Sequence, residues 1–458
     1  MDGAVWAWSQ ATHELALFAA LGLAIGGLDD LLVDLIWIVR TLWRRATVYS
    51  RFERADAIGL AAQAKGAVAV FVPAWHEDRV VGAMAATALR RWAGRDVRLY
   101  VGCYPNDPAT IAAVEAVGAD PRLRLVINTR EGPTTKADNL NAMWRAMLAD
   151  EAADGRRFVA VALHDAEDVV HSAEIDIYAA LCGRFDLVQL PVQALIERDS
   201  GIWRRFVSAH YADEFAESHG KGLMVREALG ASVPSAGVGC GLSRDLLQRI
   251  ADRHGTPFDE GTVTEDYELG LRVREMGGRG VFVRVPADKT GNLVAVRAHF
   301  PDTIAAAVRQ KARWQAGIAL SGWTRLGWRG GWAEHWMRFR DRRAILSALV
   351  LLCGYLAAAM LLLLEPLGHA PRFSGFELSL FALCTALMVW RLAMRALFVG
   401  RVYGWAEALA SLPRVLLGNF IAMASARRAL ISYFRLARGA PLVWDKTEHQ
   451  FPRTMPAE

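Results

Sequence analysis

Three carboxylates stand on four consecutive residues in His164-Asp165-Ala166-Glu167-Asp168. In a dry site they repel one another, and a divalent cation or a positively charged partner between them makes the arrangement tolerable. The six residues before them, FVAVAL, are continuously apolar and predict a buried strand. Acids at the C-terminal end of a buried parallel strand lie where α/β proteins seat a ligand. The chemistry this suits is a metal clamping a diphosphate, with Asp165, Glu167 and Asp168 as candidate ligands. The plain alternative is a solvated acidic loop in which Asp168 caps the following helix.

Three further stations could do chemistry. In Thr264-Glu265-Asp266, an Asp at a helix start beside a second acid suits a general base, with Asp266 and Glu265 as candidates. Thr262 with Glu265 three residues on would equally form a capping box. In Gln310-Lys311-Ala312-Arg313-Trp314, a helix puts Gln310, Arg313 and Trp314 on one face. Arg offers a fork for phosphate and Trp a platform for a sugar ring. An amphipathic helix on a membrane surface carries the same residue types. Lys136–Asn141, KADNLN, could reach a diphosphate or be an exposed helix start. The GVGCG run at 237–241 lies too far downstream of the first strand for a dinucleotide fingerprint.

The elements that must position these residues follow from the hydrophobic pattern. Strands at 68–72, 97–102 and 123–127 alternate with helices, and a helix at 136–148 precedes the central strand. This order predicts a doubly wound sheet with its ligand at the strand C-termini. Further strands are expected at 187–192 and 281–285, and helices at 267–276 and 303–319.

The 458 residues are 53% hydrophobic with a mean hydropathy of +0.18, which predicts membrane segments. Residues 14–39, 344–364 and 376–399 are long and apolar enough to span. Arg40, Arg44, Arg45, Arg51 and Arg54 place the end of the first span in the cytosol and the N-terminus outside. The chain then divides into a spanning helix (1–45), an interfacial linker helix (46–66), a cytosolic α/β domain (67–322) and a Trp/Arg-rich interfacial segment (323–343). Two spanning helices (344–399) follow, then interfacial helices and a polar tail (400–458). Pro413 and Arg414 argue against a span at 405–436. Trp328, Trp332 and Trp336 read as a membrane-interface belt. Asp30 and Asp34 sit at the same depth in the first span as Arg391 and Arg395 in the last, so Asp30–Arg391 and Asp34–Arg395 pairs are expected.

A net charge of +5 and a pI of about 9.0 suit anionic lipid or an anionic substrate, without the long basic run of a nucleic-acid binder. The five cysteines are scattered and odd in number, which predicts reduced thiols and no cysteine metal site. The start MDGAVWAW is acidic and does not predict a cleaved signal peptide.

In this order VPAWHE (72–77), KADNLN, DAED (165–168), GVGCGLSR (237–244), TED and QKARW resemble the family 2 glycosyltransferases. Within them the likeness is to the membrane-embedded, processive type of the cellulose and hyaluronan synthases. GLDDLLVDL (27–35), YPNDP (104–108) and WDKTEHQFP (444–452) read as signatures of one bacterial branch.

The resemblance implies a glycosyltransferase-A fold, a doubly wound mixed sheet, and metal-dependent inverting transfer of a hexosyl or N-acetylhexosaminyl group. By that likeness Asp165 and Glu167, with Asp168 helping, hold Mg²⁺ or Mn²⁺, and Asp266 deprotonates the acceptor hydroxyl. Pro73, Glu77, Asp107, Lys136, Asn141, Gln310, Arg313 and Trp314 would meet the nucleotide sugar or its acceptor. Two departures stand out. Gly102 and Cys103 occupy the place of the family's uracil-reading Asp, leaving Asp107 downstream, and the central motif is Asp-x-Glu.

The implied function is extension of a cell-surface polysaccharide from a UDP-linked sugar. The implied location is the bacterial inner membrane, in several passes, with membrane lipids around it and an outer-membrane or periplasmic export partner. Relatives often carry a cyclic-di-GMP-sensing domain after the membrane region, so such control is expected from a partner here. Other readings are single-sugar transfer to a lipid-linked acceptor, or a phage-entry scaffold with a vestigial transferase site.

Overall fold

The computed structural model describes residues 3–196, 201–288, 291–439 and 450–452. Its α/β domain is built on β1 (Ala67–Pro73), β2 (Val97–Cys103), β3 (Leu123–Ile127), β4 (Phe158–Leu163), β5 (Leu187–Gln189), β6 (Val192–Leu195), β7 (Cys240–Ser243), β8 (Gly280–Phe282) and β9 (Val296–His299). Seven of these form one sheet in the order β3-β2-β1-β4-β7-β5-β8, and β6 pairs in parallel with β9. β1 lies parallel to β2 and β4, whereas β7 is antiparallel to β4 and β5, so the sheet is mixed as expected.

Alternation along β1 explains its place at the centre. Val68, Val70 and Val72 pack on one side with Met84 and Trp92. Ala69 and Phe71 pack on the other with Leu140, Met143 and Trp144. Apolar residues on both faces demand helices on both faces.

Two local expectations fail for identifiable reasons. The strand expected at 187–192 breaks into β5 and β6 around Leu190-Pro191, because Pro191 has no N–H for a ladder. The glycine-rich run hides β7. Gly241 is needed there because a Cβ would meet Tyr178 Cδ1 at 2.5 Å.

Four helices are long and apolar enough to cross a membrane by length and composition: Gly3–Thr47, Ala344–Leu364, Gly375–Tyr403 and Trp405–Ala437. The last is one helix running through Pro413, where several were expected. Arg414 is buried there against the α/β domain, with Nη2 2.7 Å from Asp213 and Nη1 2.7 Å from Glu407. The linker at 46–66 holds only the short helix Ala57–Ala61. The 323–343 segment also folds onto the domain. Arg338 is 1% exposed and donates to Leu326 O and Glu334. Trp336 of the expected belt donates to Asp29 at 2.6 Å.

Asp30 pairs with Arg391, as expected from their depths. It also pairs with Arg340 and Arg343, and Arg343 reaches Asp29 as well. Asp34 does not pair with Arg395. Its partners are Lys221 and the Trp390 indole, and Arg395 lies 3.9 Å from Asp213. The depth argument considered spans alone, whereas the α/β domain brings Lys221 down to the N-terminal helix on the turn Ser218–Gly222. All five cysteines are free. Residues 444–449 of WDKTEHQFP lie outside the described residues.

Candidate active site

A cavity of 960 Å³ opens where β1 and β4 end. Pro73, Glu77, Lys136, Asp165, Glu167, Asp168, Glu265, Asp266, Gln310, Arg313 and Trp314 all border it. Asp107 and Asn141 do not. Asp107 is buried at a helix N-cap and accepts the His76 N–H at 2.7 Å, fixing the turn after β1. Asn141 bonds both backbone groups of Phe258, at 2.9 and 3.1 Å. These short polar side chains hold loops instead of facing the opening.

The loop after β4 is folded by Asp168. One carboxylate oxygen accepts the Asp165 N–H at 3.0 Å and faces His164 Nδ1 at 3.0 Å. Nε2 of His164 lies 3.4 Å from Glu174. Burial opposes a charge on this ring, yet Glu174 and Asp168 push its pKa up to about 10, so it is an imidazolium at neutral pH. Asp168 therefore shapes the loop, and Asp165 and Glu167 beside it also line the cavity.

Lys136 crosses from its helix start, with Nζ 2.5 Å from Asp165 and 3.9 Å from Glu265. Burial works against its charge, but Asp165, Glu265 and Asp266 hold its pKa well above the ordinary lysine value. Glu265 and Asp266 begin the helix Glu265–Glu275. The capping box does not form: Thr262 donates its hydroxyl to Glu268 at 2.7 Å, and Thr264 makes no side-chain cap. Burial first, then the neighbouring Asp266 carboxylate, pushes Glu265 up to about 7. Burial also raises Asp266, against the pull of Lys136. A carboxylate poised near neutral pH in a cavity can take a proton.

The glycine-rich turn missed as a functional element forms the seat of this acid. Gly237 has φ +74°, and a Cβ on it would meet Asp266 Oδ2 at 2.4 Å. Gly317, just past the Gln310–Trp314 station, lies equally close to Thr264: a Cβ on it would meet Thr264 Cγ2 at 2.4 Å. Trp314 stands edge-on to Tyr211, with ring centres 6.1 Å apart. Lys311 pairs with Glu214 at 2.5 Å, and Glu214 borders the cavity. Arg428, Ser432 and Arg435 of the last helix also line the cavity. Their i, i+4, i+7 spacing was readable, but not what that face meets.

Gly102 explains the departure at the end of β2. A Cβ there would meet Asn139 Oδ1 at 2.0 Å, and Asn139 donates to Gly102 O at 2.9 Å. This packing leaves no room for a carboxylate side chain at 102.

Asp165 and Glu167 are hard oxygen donors at the cavity. Among the described residues no three His, Cys, Asp or Glu side chains converge on one point. Mg²⁺ is commonly held by one or two carboxylates with phosphates and water completing the shell. The donor set fits that mode and not an all-protein cage.

Residues 65–317 match the family described as "Glycosyltransferase like family 2". The chain is 36% identical to the bacteriophage adsorption protein B of Escherichia coli K12, over 97% of this chain and 63% of the relative. The bacteriophage N4 adsorption protein B of Escherichia coli O157:H7 matches to the same extent. The chain thus spans 63% of the length of these curated relatives. Among solved structures, a mannosyltransferase from Pyrobaculum calidifontis in complex with GDP-Man and Mn²⁺ superposes with a TM-score of 0.48 at 15% identity, covering 91% of this chain and 99% of that one. Glucosyl-3-phosphoglycerate synthase from Mycobacterium tuberculosis, with Mn²⁺, UDP and phosphoglyceric acid, gives 0.36 at 20%, covering 60% and 84%.

Proposed function

This chain belongs to the family 2 glycosyltransferases, and from that premise we propose that it is a metal-dependent inverting enzyme that extends a cell-surface polysaccharide from a UDP-linked sugar. The observation that carries the reading is the convergence of Lys136, Asp165, Glu265, Asp266 and Arg313 on one cavity. Asp266 takes the proton of the acceptor hydroxyl as that oxygen attacks the anomeric carbon. The nucleoside diphosphate leaves from the opposite face in the same displacement, which inverts the centre without a covalent intermediate. A metal held by Asp165 and Glu167 would neutralise charge on the departing diphosphate. Lys136 adds fixed positive charge beside it, and Trp314 supports the acceptor ring. The uracil is read by backbone, since position 102 has no room for an acid.

We place the α/β domain in the cytosol of a bacterial inner-membrane protein whose N-terminus is periplasmic. The last helix supports an interfacial lie. It exposes Trp405, Leu409, Leu416, Phe420 and Phe434 and buries Ala408, Ser411, Arg414 and Ser425 against protein. A surface glycan made by such an enzyme would also account for relatives named for phage adsorption.

The test is nucleotide-sugar hydrolysis by the purified full chain across a donor panel with Mg²⁺ or Mn²⁺. Metal-dependent release of nucleoside diphosphate from one donor supports the reading. The absence of turnover and of donor binding across the panel would favour a scaffold with a vestigial site.

A further inference from the structure

We propose that Tyr267 and Asp341 are positioning residues for the base: together they fix the start of the helix that carries Asp266, and so fix where its carboxylate stands. The inference rests on the transferase reading, in which Asp266 takes the acceptor proton, and adds what holds it in place.

The helix Glu265–Glu275 begins without the usual restraint. Thr264 gives its first turn no side-chain cap, and N–H groups at an uncapped helix start must find other partners. Tyr267 supplies the tie at both of its ends. Its backbone N–H donates to Asp266 Oδ1 at 2.7 Å, and its hydroxyl donates to Asp341 Oδ2 at 2.7 Å. The ring is 5% exposed and packs with Leu271, Ile318 and Leu326, so the side chain is held along its length. One residue thus joins the base to Asp341, and both Tyr267 and Asp341 border the cavity.

A tie positions a group only if its far end is fixed. Arg226 Nη1 lies 2.8 Å from each oxygen of Asp341, and Arg226 is itself buried and donates to Ser232 O. The Ser232 N–H meets Glu334 at 2.7 Å, and Glu334 accepts from Arg338 at 2.9 Å. Glu334, Arg338 and Asp341 all stand on the helix Trp332–Arg342. Beside Asp341, Arg340 and Arg343 pair with Asp29 and Asp30 of the first membrane helix. The anchor of the base therefore belongs to the segment that clasps that helix.

The tolerance at Asp266 is small. Gly237 lies against its Oδ2 with no space for a Cβ. One position on, Glu268 is held by Thr262 at 2.7 Å and by Arg325 at 2.9 Å. With Tyr267 and Glu268 both tied, the first turn has a set rotation about its axis. Misplacing a reacting group by about 1 Å costs on the order of 10²-fold in rate. Removing one hydroxyl from the tie should cost about tenfold.

The test follows UDP release by the purified full chain with Mn²⁺. It uses whichever of UDP-glucose and UDP-N-acetylglucosamine the wild type turns over faster, with the same free sugar present as hydroxyl acceptor. Tyr267→Phe keeps the ring and is expected to lower kcat about tenfold, with donor Kd and binding stoichiometry unchanged. Tyr100→Phe removes a comparable buried hydroxyl bond, 3.0 Å to Asp150 and outside the cavity, and should leave kcat alone. In an Asp266→Asn background, adding Tyr267→Phe should cost less than about twofold, because its effect passes through Asp266. Asp341→Ala should match Tyr267→Phe, and the two together should cost no more than one. That variant buries Arg226 without its partner, so where it does not fold Tyr267→Phe decides alone.

Wild-type kcat in Tyr267→Phe would overturn the proposal. So would a loss that persists in the Asp266→Asn background, an equal loss in Tyr100→Phe, or a loss accounted for by weaker donor binding. Normal turnover in Asp266→Asn, or a wild type that neither binds nor turns over any donor, would instead defeat the reading on which the proposal rests.

Discussion

Two regions of this molecule gather acids in low-dielectric surroundings and treat them in opposite ways. Along the N-terminal helix, Asp29, Asp30 and Asp34 are met by Arg340, Arg343, Arg391 and Lys221. In the cavity, Asp165, Glu265 and Asp266 gather around Lys136, with Arg313 also pulling on Glu265 and Asp266. Balanced acids hold helices together, whereas a carboxylate surplus keeps a proton acceptor and an oxygen face available for incoming charge. Counting partners separates architecture from chemistry better than counting acids.

The sharpest way to break the comparison is to neutralise one acid of the surplus. Asp266→Asn is expected to lower turnover by about two orders of magnitude or more, with nucleotide-sugar affinity retained, as steady-state rates beside equilibrium binding would reveal. Near-normal turnover would remove Asp266 as the base. Asp165→Ala should cost about tenfold or more in metal-dependent donor affinity, and EDTA should then make no further difference in a titration. Donor binding that stays tight and EDTA-sensitive would contradict it.

In the balanced region the effect should fall on stability instead. Asp34→Asn leaves Lys221 with Glu217 alone, 2.8 Å away. It should destabilise the fold by about 3 kcal/mol, seen as a melting temperature lower by roughly 5 °C or more in detergent. The KM for donor should not move. A variant of unchanged melting temperature would mean that this pair is not what ties the two parts together.

The smallest expected effect is a pH signature of the surplus. Glu265 titrates near 7 in the fold against an ordinary value of 4.5. Between those values the folded chain holds a proton that the unfolded chain has lost, so this group's contribution to stability falls as pH rises toward 7 and is flat above it. Turnover needs the ionised pair and should rise over the same range. Opposite slopes of melting temperature and kcat/KM would sharpen the contrast between the regions. In Glu265→Gln the rise of kcat/KM toward pH 7 and the opposing slope of the melting temperature should both disappear, because the group that titrates there is gone.

Much of this was legible in the sequence, and the exceptions have a common cause. β4 coincides with its apolar run, because a strand buried along its length has no place for polar residues. The acid, TED and QKARW stations, singled out by residue type and spacing, do border one cavity. Asp107 and Asn141 carry the same kinds of polar group, but a backbone N–H only 2.7 Å from Asp107 claims it, and no pattern of residues announces such a partner. Gly237 and Gly241 matter for the side chain they lack, and what would collide with it comes from distant segments. Asp34 was matched to the wrong cation because spans were considered without the domain that reaches down to them.

The Asp30–Arg391 pair has a consequence for biogenesis. Its partners are 361 residues apart in the chain. At roughly 5–20 residues per second, the ribosome delivers Arg391 tens of seconds after Asp30. Arg340 and Arg343, which also meet Asp30 in the finished fold, follow it by 310 and 313 residues and so precede Arg391 by only the last seconds of that interval. For most of synthesis the first helix therefore exists without any of the three arginines that Asp30 meets in the finished fold.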